Sequence, residues 1–264
     1  MNTLPITAFD ILLSSSLVAV AGGVSLALRL GLERRIAVAA ARTVVQLLLV
    51  GLVLRWVFAL DRWWVIAAIL LSMVVNAGIA GVRRTGRRYR GIWLDALLAV
   101  SVSCVLVTFT VTEIVIGVDP WYEPRYLIPL MGMVLGNTLT GLSLCLDRIT
   151  ADLDTRRVEV EGWLALGATG WEATRPIVAE AARTGMVPIL NVMTVAGIVT
   201  LPGMMTGQIL AGEPPMQAVK YQIVVMFMIA AGAAIGSLIA ALLAFRRLVT
   251  PAHQLAAHRL RRVS

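Results

Sequence analysis

Two amides in long apolar segments are the polar residues of this chain best placed to handle a small cation. Gln46 and Asn137 each lie about 15 Å inside such a segment, at 1.5 Å per residue along a helix. A polar group buried there is costly and often marks a transport path. The alternative interpretation is an interhelical hydrogen bond that only stabilises packing.

Methionines are the second group with useful chemistry. Met131, Met133, Met204 and Met205 lie at similar depth toward one side of the predicted membrane segments. Thioether sulfur is a soft ligand that favours Cu(I) over hard ions. We predict that these methionines shape the outer gate of a path for a metal ion, with both amides deeper along it. Packing is the alternative for each methionine, because Met commonly fills irregular gaps, and no defined metal site is assigned.

The residue patterns give little support to an enzymatic function. Neither H-E-x-x-H nor G-x-S-x-G occurs, and His253 and His258 are five residues apart in a basic tail. The one lysine, Lys220, does not lie in the G-x-x-x-x-G-K-[ST] loop that cradles phosphate. The sequence therefore predicts no catalytic residues, no cofactor bound by this chain and no ATP hydrolysis of its own.

The elements that position these residues must be membrane-spanning helices. The 264 residues are 59% hydrophobic and 14% charged, and the mean hydropathy is +0.85. Backbone polar groups cannot stay unpaired in lipid, so apolar runs of about 20 residues predict helices. We predict an all-α, polytopic integral membrane helix bundle, with residues 1–264 as one transmembrane domain. The seven predicted spans are 8–30, 36–59, 63–82, 92–118, 127–146, 186–210 and 218–245.

The distribution of charge predicts the orientation of the chain. Of 23 basic residues, 19 fall in alternate segments, at 29–42, 83–90, 148–183 and 246–262. Positive segments stay in the cytoplasm, so we predict the N-terminus outside, with segment 147–185 and the basic tail 246–264 inside. Basic residues in this arrangement set topology and contact anionic lipid headgroups, which argues against nucleic acid as a partner.

The long polar segment carries a spaced motif. Glu161, Gly167 and Ile177 keep the spacing of the EAA loop of ABC-transporter permeases, which this segment resembles. Gly162 and Trp163 replace the two alanines of that pattern. The resemblance implies a short cytoplasmic coupling helix that docks on a separate ATPase subunit. An ordinary amphipathic helix between two spans is the alternative.

Three blocks carry a more specific resemblance. They are ARTVVQLLLVG at 41–51, GMVLGNTLTGLSLC at 132–145 and GIVTLPGMMTGQILAGEPPMQAVKYQI at 197–223, and they look like the FetB-type permeases. That family supplies the membrane subunit of a bacterial iron exporter, and its plant relatives are linked to aluminium tolerance. The resemblance implies a permease homodimer in the bacterial inner membrane, iron as the transported ion, and two copies of a separate ATPase that binds ATP and Mg.

Two alternatives to iron export stay open. Coupling loops of this kind also occur in importers, so a permease for another substrate or direction is the first. A passive channel is the second, although it leaves the coupling-type segment unexplained. We also predict that Pro202 and Gly203 break the sixth span and that the Leu201–Gly212 block, with the last spans, forms the seam between two permeases.

Overall fold

The computed structural model describes residues 7–60 and 62–262. Its elements are α1 (Ala8–Ala27), α2 (Glu33–Leu60), α3 (Trp63–Arg83), β1 (Arg87–Arg88), α4 (Ile92–Phe109) with a π-helical continuation (Thr110–Ile116), α5 (Pro124–Thr155), α6 (Arg157–Ala165), α7 (Gly170–Val195), α8 (Gly203–Leu210), α9 (Pro215–Leu248), a 3-10 turn (Ala257–Arg259) and β2 (Arg261–Arg262). Helices dominate, as the need to pair every backbone group in lipid requires. The all-α prediction is confirmed.

Within the described residues, six helices are long and apolar enough to cross a membrane. They are Phe9–Ala27, Glu33–Phe58, Trp63–Arg83, Ile92–Ile116, Pro124–Thr155 and Pro215–Leu248. They correspond to six of the seven predicted spans, and a count of seven is not confirmed. The remaining predicted span, 186–210, does not form one helix, because its residues are divided between α7 and α8.

The break in that region begins earlier than the predicted position at Pro202 and Gly203. Helix α7 ends at Val195, and α8 begins only at Gly203. Gly197 adopts a φ of +81°, a conformation that favours glycine. Its N–H donates to the carbonyl of Thr200 at 2.8 Å. The local turn around Gly197 therefore ends α7 before proline can do so.

Segment 147–185, predicted as a loop around a short helix, is almost entirely helical. It contains the last turns of α5, all of α6 and the first half of α7. Its polar residues do not interrupt helix formation; they allow α5 and α7 to extend beyond the apolar part of the bundle.

The chain forms two compact units. The first holds α1 and α2, and the second holds α3 to α7, α9 and most of α8. In the first unit, the hydroxyl of Ser25 accepts from the N–H of Leu32 at 3.0 Å and donates to Glu33 at 3.2 Å. These contacts fix the turn between α1 and α2. That residues 1–264 are one domain stays a prediction.

Helix α5 lies at the centre of the second unit, where it contacts α3, α4, α7 and α9. Small residues let three of these helices cross closely, namely Gly141 of α5, Gly185 of α7 and Ser237 of α9. A Cβ atom at Gly185 would lie 2.8 Å from the Cβ of Ser237 and 2.9 Å from the carbonyl oxygen of Gly141. Close backbone approach of this kind stabilises helix pairs in membranes, and it fixes α7 between α5 and α9 at this point.

One end of the second unit gathers the basic segments. The N–H of Gly86, just after α3, donates to Asp147 of α5 at 2.8 Å, and Arg87 pairs with Asp154 at 3.0 Å. Strand β1 pairs antiparallel with β2 in the tail. We call this region, residues 83–91, 147–170 and 246–262, the basic end. The tail is therefore folded against the bundle rather than extended from it.

Candidate functional site

The connection between α6 and α7 forms a stiff elbow at the basic end. After α6, Gly167 adopts a φ of +94°. The N–H of Ala168 donates to the carbonyl of Trp163 and that of Gly167 to Leu164, both at 3.1 Å. These paired bonds make a Schellman C-cap, for which a left-handed glycine is the favoured residue. The predicted motif glycine thus ends α6 and sets the direction of the chain.

The next helix begins three residues later, at Gly170, after a second capping device. The Thr169 hydroxyl accepts from the N–H of Glu172 at 3.3 Å, and the Glu172 carboxylate accepts from the N–H of Thr169 at 2.8 Å. This capping box satisfies two of the N–H groups left free at a helix start. The bond from the Thr169 N–H, followed by that from its hydroxyl, lowers the pKa of Glu172.

The folded tail supports the start of α7. His253 Nδ1 accepts from the N–H of Gly170 at 3.0 Å. A Cβ atom at Gly170 would lie 2.5 Å from the Val249 side chain, so the tail and α7 are in close contact. Trp171 and Phe245 add an edge-to-face ring contact with centroids 5.3 Å apart. The tail therefore helps to hold the elbow against the end of α9.

Helix α6 carries apolar side chains on both its inner and its outer surface. Val160 is 1% exposed and anchors the helix to the bundle. Val158 and Leu166 are 83% and 82% exposed, and Trp163 is 54% exposed. Large apolar side chains exposed within one short segment are candidates for a protein interface. We call Val158, Trp163 and Leu166 the elbow patch.

The remaining motif residues have different surroundings. Glu161 is exposed on α6, where its carboxylate accepts from Arg157 at 2.7 Å, one turn earlier. An exposed pair of this kind contributes little stability, about 0.3–0.5 kcal/mol. Ile177 is 1% exposed in the core of the second unit. The structure thus places Glu161 and Gly167 at the surface of the elbow and Ile177 beneath it.

A cavity of about 490 Å³ lies where α7 ends. Met193 of α7, Met205 of α8 and Met226 of α9 line it, together with Gln222. We call it the methionine cavity. Gln222 is 7% exposed, and its Oε1 has no hydrogen-bond partner among the described residues. Buried polar groups are normally hydrogen-bonded, so an unpaired amide oxygen in this wall is available to a ligand.

The six predicted path residues have different surroundings. Of the six, Met205 lines the methionine cavity. Met204 packs against the core of the second unit. Met131 is 2% exposed and accepts a hydrogen bond from Thr108 at 3.3 Å, as expected of a packing residue.

The two predicted amides belong to different units. Asn137 Nδ2 donates to the carbonyl of Met133 on its own helix at 2.9 Å, so it makes the local bond that an isolated amide in a helix favours. Met133 is only partly buried beside the same core. Gln46 is exposed on α2, in the first unit.

Three lining residues of the cavity were missed by the sequence analysis. Met193 lies near the end of α7. Gln222 and Met226 lie in α9, at least 29 positions further along the chain. Gln222 carried a usable signal, because it is an amide within an apolar span. The two methionines could be assigned only once the crossing of α7 and α9 was visible.

Family comparison gives an independent result. The profile of the family described as "Uncharacterised protein family (UPF0014)" matches residues 8–249. This chain belongs to the UPF0014 family.

Relatives extend the match over most or all of the UPF0014 chain. It is 37% identical to the "UPF0014 membrane protein slr1647" of Synechocystis over 72% of this chain and 74% of the relative. It is 29% identical to the "Probable iron export permease protein FetB" of Escherichia coli over 99% of this chain and 100% of the relative. It is 33% identical to "Protein ALUMINUM SENSITIVE 3" of Arabidopsis thaliana over 87% of this chain and 82% of the relative. No solved structure matches the chain.

These matches confirm the resemblance to FetB-type permeases and their plant relatives. The UPF0014 chain is a multi-pass membrane protein, by its membrane-protein relatives and its six long apolar helices. Among residues 7–60 and 62–262, no three His, Cys, Asp or Glu side chains form a metal-ligand group. Any metal contact in the methionine cavity would therefore use thioethers and an amide.

Proposed function

We propose that this chain is the permease subunit of an ATP-driven exporter of iron or another metal ion. The observation that carries the proposal is the course of α7. This helix begins at the elbow with Gly170 and reaches the methionine cavity with Met193. Its 26 residues span about 39 Å at 1.5 Å per residue. We infer that a displacement of the elbow acts on the cavity through this helix, which contains Pro176 and Pro188.

The crossing at Gly185 gives α7 a fixed point between these two ends. There α7 is held against Gly141 and Ser237. Closely packed helices move by small rotations or slides about such contacts rather than by bending freely. Movement of the elbow would therefore tilt α7 about the crossing and change the width of the cavity.

The partner that moves the elbow is a separate ATPase subunit. The chain carries no phosphate-binding loop, so ATP and Mg would bind to the partner. The elbow patch offers that partner exposed apolar side chains, and Glu161 lies beside it. Because positive segments stay in the cytoplasm, the basic end faces the cytoplasm of a bacterial cell, with the protein in the inner membrane.

A second copy of the permease completes the transporter. Residues 196–202 are non-helical, and within them Ile198 and Val199 are 87% and 76% exposed. Irregular backbone at membrane depth is tolerated only inside protein or beside a water-filled cavity. A homodimer that covers the break, the Leu201–Gly212 block and α9 satisfies this requirement.

Weak ligands suit a transported ion. Conduction requires a site that binds strongly enough to admit the ion but weakly enough to release it. Thioethers and one amide meet this condition better than a cage of carboxylates. The same thioethers favour a soft ion such as Cu(I), which is the second candidate substrate. Transport of Fe, Mn, Cu and Zn in inverted membrane vesicles that contain permease and ATPase tests the proposal and decides between the substrates.

The methionines give a specific prediction. Replacing Met193, Met205 and Met226 together by leucine is expected to lower metal transport by about tenfold, the effect of losing about 1.4 kcal/mol of ligand interaction. Leucine nearly conserves volume, so each change costs under about 1.5 kcal/mol of stability. Replacing Met133 and Met204 by leucine serves as the control and should leave transport unchanged. Full transport by the triple variant would exclude thioether ligation.

A further inference from the structure

A second cavity, of about 510 Å³, lies at the basic end where α4 begins. Its lining residues are Tyr89, Arg90, Gly91, Leu94, Arg247 and Arg259. All six belong to the second unit. Three of them carry guanidinium groups, which remain charged at any physiological pH. We call this cavity the arginine cavity.

The charges around the arginine cavity do not cancel. Asp95 is 1% exposed, and its Oδ1 lies 3.4 Å from both Nε and a terminal nitrogen of Arg247. The Tyr89 hydroxyl donates to the other carboxylate oxygen at 2.9 Å. Burial, followed by the nearby Asp95, raises the pKa of Tyr89, so its hydroxyl remains a neutral donor. One carboxylate against three guanidinium groups leaves the lining positive.

Backbone contacts hold the arginines in place. Arg259 donates to the carbonyl of Arg247 at 2.8 Å. Gly91 has a φ of +95°, and a Cβ atom there would lie 3.3 Å from the Arg247 guanidinium carbon. Glycine therefore lets Arg247 lie directly over the start of α4.

The arginine cavity also lies beside an apolar surface. It adjoins the start of the candidate membrane span Ile92–Ile116. Leu94 is 59% exposed and Trp93 is 39% exposed at this level. Tryptophan is enriched at the boundary between headgroups and acyl chains. A free phosphate ion would use only the arginines, whereas a phospholipid would use both the arginines and the apolar surface.

We propose that the arginine cavity binds the phosphate group of an anionic phospholipid from the leaflet at the basic end. Guanidinium groups bind phosphate oxygens through paired, charge-assisted hydrogen bonds. Arg247 is oriented by Asp95 and by Gly91, while Arg90 and Arg259 supply the charge that the carboxylate does not balance. The acyl chains lie along Leu94 and Trp93. This site requires only that the protein is in a membrane and does not depend on what it transports.

The test is native mass spectrometry of the full-length chain in detergent, titrated with phosphatidylglycerol or phosphatidylcholine. The wild-type chain is expected to retain phosphatidylglycerol in preference to phosphatidylcholine. The double variant Arg90→Gln/Arg259→Gln should bind phosphatidylglycerol at least about tenfold more weakly, because two basic residues leave the contact with the anionic lipid. Asp95 and Arg247 are kept, so that no buried charge loses its partner.

The matched control also removes two positive charges from the basic end. Arg84→Gln/Arg246→Gln changes two exposed arginines that do not line the arginine cavity, and its lipid binding should stay within about twofold of wild type. Equal loss in both variants would overturn the site. Displacement of the lipid by an equal concentration of inorganic phosphate would overturn the lipid assignment. If the double variant does not fold, Arg90→Gln alone should weaken binding by about threefold, and unchanged binding would contradict the proposal.

Discussion

Exchange of Val158 and Leu166 for aspartate is expected to abolish ATP-driven metal transport while leaving the bundle folded. Both side chains are more than four-fifths exposed, at 83% and 82%, so neither contributes to the core. Acidic groups placed in the elbow patch would have to lose their hydration on docking, a cost of several kcal/mol if they remain unpaired. We expect more than about tenfold loss of transport, since each 1.4 kcal/mol of lost docking weakens binding tenfold.

The control for this result is the same type of change in the connection before α5. Trp121 is 49% exposed there, and Trp121→Asp should leave coupling to the ATPase intact. Gel filtration and thermal unfolding show whether each variant is folded. Wild-type transport by the Val158→Asp/Leu166→Asp variant would mean that the elbow patch is not the ATPase contact.

Replacement of Gly185 by alanine is expected to destabilise the protein by about 2 kcal/mol, as overpacking of a tight contact does. The added Cβ would meet both Ser237 and the Gly141 carbonyl at distances that real Cβ atoms do not adopt. The crossing of α5, α7 and α9 must then open. A change of this size lowers the Tm by about 5 °C in a domain of this length.

The two cysteines of the chain report this unfolding directly. Cys104 and Cys145 are both 0% exposed, so a thiol-reactive dye labels them only when the bundle opens. The control is Gly136→Ala, where a Cβ atom has no neighbour within 4 Å, and alanine favours the helix by about 0.5–1 kcal/mol. A Gly185→Ala variant that unfolds at the same temperature as the Gly136→Ala control would show that the crossing does not fix α7.

Hydropathy predicted the helices that are apolar throughout but did not predict α7. Six spans were found because each is a long run of apolar residues. Helix α7 begins in the polar segment, with Glu172 and Arg175 in its first turns, so the apolar part was assigned to a separate span. A helix that begins in a polar segment and continues into an apolar one carries no boundary that hydropathy can detect.

Local capping explains why the elbow was predictable and the cavity was not. Gly167 ends α6 through bonds to residues within five positions, so its spacing in the motif already carries the structure. The methionine cavity instead requires α7, α8 and α9 to meet around Met193, Met205 and Met226. Such contacts depend on helix crossings, which the order of residues along one helix does not specify.

The basic tail is a second example of contacts that the sequence does not predict. Its arginines predicted a charged segment at the membrane surface, whereas the structure pairs it with β1 and places His253 at the start of α7. A two-residue strand and a single imidazole bond leave no periodic pattern in the sequence. The link between tail and elbow could therefore be seen only in three dimensions.

Metal transport into inverted membrane vesicles, measured with and without the ATPase subunit, tests the central claim most directly. In these vesicles the cytoplasmic face points outward, so an exporter accumulates the metal inside. We predict accumulation only when the permease, the ATPase and hydrolysable ATP are all present. Accumulation by the permease alone, or at the same rate without ATP, would contradict coupling through the elbow and would identify the protein as a passive channel.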